Sequence, residues 1–163
     1  MKTQRRRRRE KKTDYKNRIN ILKSGMLRVV FRKTNQYIIG QVIGSKEAKD
    51  KVLVSINSKE LLNLGWQWKG SLKSIPAAYL SGRMLAARIK DVKKAILDLG
   101  LLRDIKKSRI YAFAKGVQDG GISLNIDKKY YPAEDRIYGM HMKKDVKSKM
   151  EEILDKIEHG RKE

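Results

Sequence analysis

The stretch LRVVFRKTNQYIIGQVI, residues 27–43, decides the fold of this chain. It contains two runs rich in Val, Ile and aromatic residues, Leu27 to Arg32 and Tyr37 to Ile43, with a short polar segment between them. Two such runs joined by a polar turn predict a β-hairpin. Because strand side chains alternate between two faces, Arg28 and Arg32 share one face and the larger apolar residues share the other.

The predicted turn after this strand is polar. Its residues are Lys33, Thr34, Asn35, Gln36 and Tyr37. One interpretation is a solvated sheet face with an ordinary polar turn. The other is a basic platform whose side chains donate hydrogen bonds to RNA. The overall charge of the chain favours the RNA platform.

The segments on either side predict the rest of a mixed sheet. Lys51 to Ser58 is a third strand, with Val52, Val54 and Ile56 on one face. Ala95 to Leu99 is a short apolar run that predicts a buried strand.

Helices are predicted between and after these strands. Ser74 caps a helix that carries Pro76 in its first turn and ends near Val92. Ser108 caps another, which the glycine pair at 120–121 stops. An amphipathic helix spans residues 141–158, and its apolar stripe consists of Met142, Val146, Met150, Ile153 and Ile157.

This order of elements predicts the α/β class, with a small mixed sheet that combines an antiparallel hairpin and a parallel crossover strand, packed with helices. A basic disordered amino-terminal arm and a carboxy-terminal helix complete the fold. We expect three parts: a basic RNA-binding arm at 1–18, a globular α/β RNA-binding domain at 19–140, and an amphipathic helix and tail at 141–163.

The charge of the chain indicates a polyanionic partner. Forty Lys and Arg against 18 Asp and Glu give a net charge of +22 over 163 residues. Self-repulsion of that size destabilises the compact state unless an acidic partner neutralises it. Phosphate is the expected partner, because each cation placed on a phosphate releases condensed counterions. No stretch has the roughly 18 apolar residues of a membrane span, so no membrane partner is expected. With no cysteine, we expect a cytoplasmic protein without disulfides.

The arm at residues 1–18 is the densest basic segment, with ten basic and two acidic side chains. Adjacent arginines without an apolar face are typical of a disordered interaction tail. A nuclear-localisation signal has the same composition. The candidate RNA-binding residues of the arm are Arg5, Arg6, Arg7, Arg8, Arg9, Lys11, Lys12, Tyr15 and Arg18.

Two loops are further candidates. The loop from Leu101 to Ser108 and the start of the next helix supply Arg103, Lys106, Lys107 and Arg109. The loop from Gly65 to Ser74 holds Trp66 and Trp68, which either stack on bases or anchor the loop to the core. The second role is favoured, because tryptophan is highly buried on average.

No catalytic, metal or cofactor site is predicted, and no small-molecule substrate. The strongest enzymatic alternative is a metal-dependent nuclease built on Asp98, with Asp104, Asp119, Glu134 and Asp135 as its possible companions. These carboxylates show no paired spacing, and Asp98 is expected instead to cap or to pair with a basic neighbour. A DNA-binding regulator is the other alternative, but it needs an exposed recognition helix, and the helix from Ile75 is too apolar for that role.

Six segments together resemble a known family. They are RRRRREKKTDYKNRINILKSG (5–25), RVVFRKTNQYIIGQVI (28–43), GWQWKGSLKSIPAAYLSGRMLA (65–86), AILDLGL (95–101), SRIYAFAKGVQDGGI (108–122) and YPAEDRIYGMHM (131–142). Their order and spacing resemble the universal large-subunit ribosomal protein numbered eighteen, in its archaeal and eukaryotic-type branch.

The resemblance implies a ribosomal protein of the translation machinery that binds 5S rRNA and attaches it to the large-subunit rRNA in the central protuberance. Neighbouring large-subunit ribosomal proteins are then further partners. The family contacts RNA through its basic extension and the face around the first hairpin. The matching residues of this chain are Arg5 to Arg9, Lys11, Lys12, Tyr15, Arg28 and Arg32 to Gln36. The basic loop at 103–109 matches the family less closely.

Overall fold

In this computed structural model the described residues are 3–4, 6–47, 49–66, 71–89, 92–142 and 145–159. The helices are α1 Arg6–Arg9, α2 Tyr15–Lys23, α3 Ile75–Ala87, α4 Arg109–Asp119, α5 Glu134–Ile137 and α6 Asp145–His159. The strands are β1 Arg28–Lys33, β2 Ile38–Lys46, β3 Lys49–Asn57, β4 Lys94–Asp98 and β5 Ser123–Leu124. Short 3-10 turns lie at Ser58–Leu62 and Lys128–Tyr130.

Five strands form one mixed sheet in the order β3-β2-β1-β4-β5. The predicted hairpin is confirmed, since β1 and β2 are antiparallel and their register runs from Arg28 opposite Ile43 to Lys33 opposite Ile38. The parallel crossover is confirmed as well, because β4 lies parallel to β1. The chain therefore has the mixed α/β fold predicted from its sequence.

The main core lies between one face of the sheet and the helix pair α3 and α4. Val29, Phe31 and Val42 from the sheet pack with Phe113 of α4 in this cluster. The two helices approach closely because Gly82 and Gly116 present no side chain. A Cβ at Gly82 would lie 2.2 Å from the Phe113 carbonyl oxygen, and one at Gly116 would lie 2.2 Å from that of Tyr79. The opposite face of the sheet is therefore left to the amino-terminal segments.

A second core cluster joins α6 to the outer side of α3. Helix α6 begins at Asp145 and not at residue 141, so Met142 of the predicted stripe precedes the helix and is only partly buried. The rest of the stripe is confirmed, since Val146, Met150, Ile153 and Ile157 are all buried there. Trp66 is 1% exposed in the same cluster, so its interpretation as a core anchor is confirmed. The second tryptophan of this loop, Trp68, lies outside the described residues.

Three further predicted details of these elements are wrong. Helix α3 ends at Ala87 and not near Val92, and Arg88 there donates to the Ser55 carbonyl oxygen at 3.2 Å and to Glu60. A register shift opposite Val42 and Ile43 breaks the alternation of β3 and leaves Val52 47% exposed. Ser108 precedes α4 as predicted, but its side chain makes no capping hydrogen bond.

Two short helices lie within and after the amino-terminal arm. Arg6–Arg9 forms one helical turn, and the predicted boundary at residue 18 falls inside α2. Local polar contacts account for this order: Asp14 accepts a hydrogen bond from the Asn17 amide at 3.1 Å and so caps α2. Among the described helices, none is both long and apolar enough to span a membrane.

Candidate nucleic-acid interface

The arm presents its cations to solvent. Arg6 to Arg9 are all exposed, and Arg5 lies outside the described residues. Glu10 partly offsets them, at 3.8 Å from Arg6 Nε and 3.0 Å from Lys12 Nζ. Ion pairs at such exposed positions contribute little to stability, so these cations remain free to exchange their partner for phosphate.

Helix α2 attaches the arm to the sheet. Arg18 Nη2 lies 2.8 Å from Asp50 Oδ2 at the start of β3. Arg7 Nε donates a hydrogen bond to Thr13 Oγ1 at 2.8 Å, which holds the first helical turn near α2. Tyr15 is half-buried at the start of α2, and Lys11 and Lys12 are exposed just before it.

Arg28 occupies a different position from the one predicted. The sequence predicted that Arg28 and Arg32 share an exposed basic face, but Arg28 is only 3% exposed. Its Nη1 lies 3.0 Å from Asp98 Oδ2 and its Nη2 lies 2.7 Å from Asp50 Oδ1. The parallel register sets Val30 opposite Asp98, so the carboxylate falls on the same sheet face as Arg28. Arg28 thus joins β1, β3 and β4 instead of facing solvent.

Asp50 is the residue that connects this buried arginine to the arm. Partial burial alone would raise the pKa of Asp50, but hydrogen bonds from Ser45, Arg28 and Arg18 outweigh it and hold the pKa below its ordinary value. The carboxylate therefore stays ionised near neutral pH and binds two arginines at once. The position of α2, and with it that of the arm, depends on this charge.

The end of the hairpin carries the exposed polar groups that the sequence predicted. Arg32, Lys33, Asn35 and Gln36 are all exposed. Thr34 shapes the turn, since its hydroxyl donates to the Tyr37 carbonyl oxygen at 3.0 Å and accepts from the Tyr37 amide at 2.8 Å.

Two lysines outside the hairpin support this turn. Lys73 Nζ donates to the Asn35 carbonyl oxygen at 2.6 Å. Lys59 Nζ lies 6.0 Å from the centre of the half-buried Tyr37 ring. Sequence reasoning gave neither residue a place at the hairpin, because both contacts cross more than 20 residues of chain.

The arm and the hairpin meet in one groove of about 460 Å³ over the sheet face opposite α3 and α4. Six basic residues and three acidic residues line it. The basic residues are Arg7, Lys12, Arg18, Arg28, Arg32 and Lys33, and the acidic ones are Asp14, Asp50 and Asp98. Two of these carboxylates already bind Arg28 and Arg18, so the surface of the groove presents an excess of positive charge.

The second basic loop lies beyond the end of β4. Arg103, Lys106, Lys107 and Arg109 are exposed as predicted. Lys106 Nζ lies 5.3 Å from the centre of the Tyr130 ring, and the Lys107 amide donates to the Tyr130 carbonyl oxygen at 2.8 Å. The 3-10 turn that contains Tyr130 thereby holds one side of this loop.

The carboxylates that a metal-dependent nuclease would have to bring together bind different partners in this fold. Asp98 pairs with Arg28, as the sequence favoured, and its Oδ1 accepts from the Gly100 amide at 2.9 Å. Asp104 accepts from the Tyr111 hydroxyl, and Asp119 accepts from the Tyr79 hydroxyl at 3.0 Å. Within the described ranges, no three potential metal ligands converge on one point.

Comparisons with known proteins identify the family of this chain. The family model described as "Ribosomal large subunit proteins 60S L5, and 50S L18" matches residues 1–94. The large ribosomal subunit protein uL18 of Korarchaeum cryptofilum is 50% identical over 139 residues, which are 84% of this chain and 70% of the relative. That of Methanococcus maripaludis is 42% identical over 149 residues, 90% of this chain and 76% of the relative.

A third relative, the uL18 protein of Methanoregula boonei, is 41% identical over 139 residues, or 84% of this chain and 79% of the relative. The resemblance of the six sequence segments is thereby confirmed. The chain belongs to the family of ribosomal large-subunit proteins that includes 60S L5 and 50S L18, a family of structural ribosomal proteins and not of enzymes.

Proposed function

We propose that this structural protein of the large ribosomal subunit binds 5S rRNA and attaches it to the large-subunit rRNA in the central protuberance of cytoplasmic ribosomes. Neighbouring large-subunit ribosomal proteins are its further partners. The observation that carries the proposal is the groove in which arm and hairpin cations face each other across one sheet face. A folded basic surface with an adjoining basic arm suits a protein that grips two RNA segments at once.

The two parts of the interface have different tasks in this proposal. The arm supplies exposed guanidinium groups, which bind phosphate bidentately and carry no sequence information. The hairpin end presents Arg32, Asn35 and Gln36 from a turn that hydrogen bonds hold rigid. We assign the choice of RNA to this turn, because irregular nucleotides offer unpaired base edges to side chains at a fixed position.

Burial of helices α3 and α4 favours RNA over duplex DNA. A DNA-reading helix must present side chains to the major groove. Helices α3 and α4 instead bury most of their residues against each other and against the sheet. The exposed cations that line the groove lie on the arm and at the end of β1, which suits the irregular backbone of folded rRNA.

The proposal is tested by the variant Arg32→Ala with Asn35→Ala. Its matched control, Lys147→Ala with Asn63→Ala, removes one cation and one amide at exposed positions away from the groove. Affinity for 5S rRNA and for an unrelated structured RNA is measured for both variants at equal salt. We expect the hairpin variant to lose about fivefold or more of its preference for 5S rRNA, since contacts that read bases are worth roughly 1–3 kcal/mol each.

The control variant should keep the preference of the parent protein. Equal losses of the hairpin variant on both RNAs would mean that the turn supplies charge alone. In that case the assignment of RNA choice to the hairpin would be refuted.

A further inference from the structure

A second cavity, of about 540 Å³, lies beside the hairpin and shares Phe31, Lys33 and Leu102 with the groove. Its walls come from the start of α3, the start of α4, the basic loop and the segment that contains Arg136 and His141. Phe31, Ile75, Pro76 and Ile110 give it an apolar lining. Clefts of roughly 300–1,000 Å³ with a mainly apolar lining are typical of small-molecule sites.

The charge around this cavity is all of one sign. Lys33, Arg103, Arg109, Arg136 and His141 line it, and no acidic residue does. Within the described ranges, none of the three arginines nor the lysine has a carboxylate within ion-pair distance. Four unpaired cations around one cavity repel one another, and an anionic occupant would relieve that repulsion.

Two apolar side chains of the basic loop stand at the cavity with much of their surface in water. Leu102 is 37% exposed and Ile105 is 58% exposed, and both are among the lining residues. Contiguous exposed apolar surface with a polar rim is typical of binding sites. The occupant must therefore combine an apolar body with negative charge.

The amino-terminal ends of two helices also favour an anion in this cavity. Helices α3 and α4 both begin at this cavity, since their N-cap residues Ser74 and Ser108 line it. The first amides of a helix carry partial positive charge and favour an anion. The Ser108 hydroxyl is inaccessible to solvent, and it has no hydrogen-bond partner among the described residues.

We propose that this cavity receives one unstacked nucleobase of the bound RNA, with the adjacent phosphates held by Arg103, Arg109 and Arg136. The proposal rests on the proposed RNA-binding function and adds a specific contact to it. A nucleotide fits better than an apolar peptide side chain, because its phosphates supply negative charge opposite the four cations at the cavity. The hairpin and the cavity share Lys33, so an RNA loop that crosses the hairpin end reaches both.

The test replaces the two exposed apolar residues by neutral polar ones, Leu102→Gln with Ile105→Gln. The matched control is Leu53→Gln with Leu62→Gln, two leucines that are also exposed and do not line this cavity. Affinities of the full chain for 5S rRNA and for large-subunit rRNA are measured over a range of salt concentrations. Dimethyl sulfate reactivity of each RNA is then mapped in the complexes.

We expect the cavity variant to bind one of the two RNAs about fivefold or more weakly than the control, because a stacked or inserted base contributes of the order of a tenfold affinity gain. Its salt slope should stay unchanged, since no cation has been removed. One nucleotide protected from dimethyl sulfate by the wild-type protein should become reactive. Arg136→Gln, a separate variant, should weaken the same RNA and also lower the slope by about 0.7–0.9.

Equal affinity of cavity and control variants on both RNAs, with unchanged protection, would overturn the proposal and point to a protein side chain as occupant. A loss that is accompanied by reactivity changes throughout the RNA would also overturn it, because the site would then not hold one base. The proposed function fails separately, when the wild-type protein itself shows no preference for 5S rRNA.

Discussion

Arg28 offers the sharpest test of the difference between a structural and an RNA-binding cation. Replacing it by methionine keeps much of the side-chain volume and removes the charge that Asp98 and Asp50 face. Asp50 retains Arg18 and Ser45 as partners. Asp98 retains the Gly100 amide and loses its only arginine among the described residues.

The expected cost follows from the burial of these groups. Breaking a buried ion pair by removing one partner costs roughly 3–5 kcal/mol. Asp98 is 15% exposed and Asp50 is 28% exposed, so water screens part of the charge left behind. We therefore expect Arg28→Met to lower the free energy of unfolding by about 3 kcal/mol, near the lower end of that range. For a chain of this length, that corresponds to a Tm lower by roughly 6–12 °C.

Urea denaturation at pH 7 measures the loss, and Arg32→Met on the same strand serves as the control. Arg32 is exposed, so its replacement should change stability by no more than about 0.5 kcal/mol. Adding Asp98→Leu to Arg28→Met should recover part of the loss, because the stranded carboxylate is then removed as well. A double-mutant cycle gives the coupling energy between the two residues.

The two variants should affect RNA binding in the opposite way to stability: Arg32→Met changes the salt dependence of binding and Arg28→Met does not. Arg32→Met should reduce the slope of log K against log salt by up to about 0.9, because it removes one exposed cation from the RNA-binding surface, while Arg28→Met should leave the slope unchanged. A stability loss below about 1 kcal/mol for Arg28→Met, or a slope change equal to that of Arg32→Met, would refute the structural role assigned to Arg28.

Three further predictions concern the arm, the helix contact and acid stability. Deleting residues 1–12 should reduce the slope of log K for RNA against log salt by at least about 4. The reason is that residues 6–12 alone carry a net charge of +5 and each phosphate contact contributes about 0.9 to the slope. An unchanged slope in a salt titration would contradict this prediction. Gly82→Ala should lower the free energy of unfolding in urea by roughly 3 kcal/mol, because the new Cβ would collide with backbone atoms. The control Gly44→Ala should lower it by less, because there the Cβ meets only the flexible Leu27 side chain, at 3.3 Å. Because the folded pKa of Asp50 is depressed, its contribution to stability is complete above its unfolded pKa, about 3.9, and is lost as the pH falls through the folded pKa. Asp50→Asn should therefore destabilise the protein at pH 7, and its difference in stability from the wild type should shrink as the pH falls, in urea titrations at pH 7 and at acidic pH.

The sheet was predictable because local patterns specify it. Alternation and a polar turn predicted β1 and β2, and the apolar run around Ala95 predicted β4. Alternation also placed Arg28 on the correct face of β1. It gave no information about burial, because Asp50 and Asp98 come from 22 and 70 residues further along the chain.

Other features had weaker signals or none. Asp14 followed by Ile19, Ile21 and Leu22 is an N-cap before an amphipathic turn, and this pattern would have predicted α2 if the arginines had not dominated the interpretation. Strand β5 has two residues, too few for any periodicity. Arg136 joins the cavity beside the hairpin through tertiary packing, which no local spacing predicts.

The central claim is that this protein attaches 5S rRNA to the large-subunit rRNA, and a bridging assay tests it most directly. Labelled 5S rRNA is applied to immobilised large-subunit rRNA with wild-type protein, with the variant that lacks residues 1–12, and without protein, and each sample is washed at rising salt. We predict retention of 5S rRNA that requires the protein, and earlier release with the truncated variant. Retention that is equal with and without the protein, or equal for 5S rRNA and an unrelated RNA, would contradict the account.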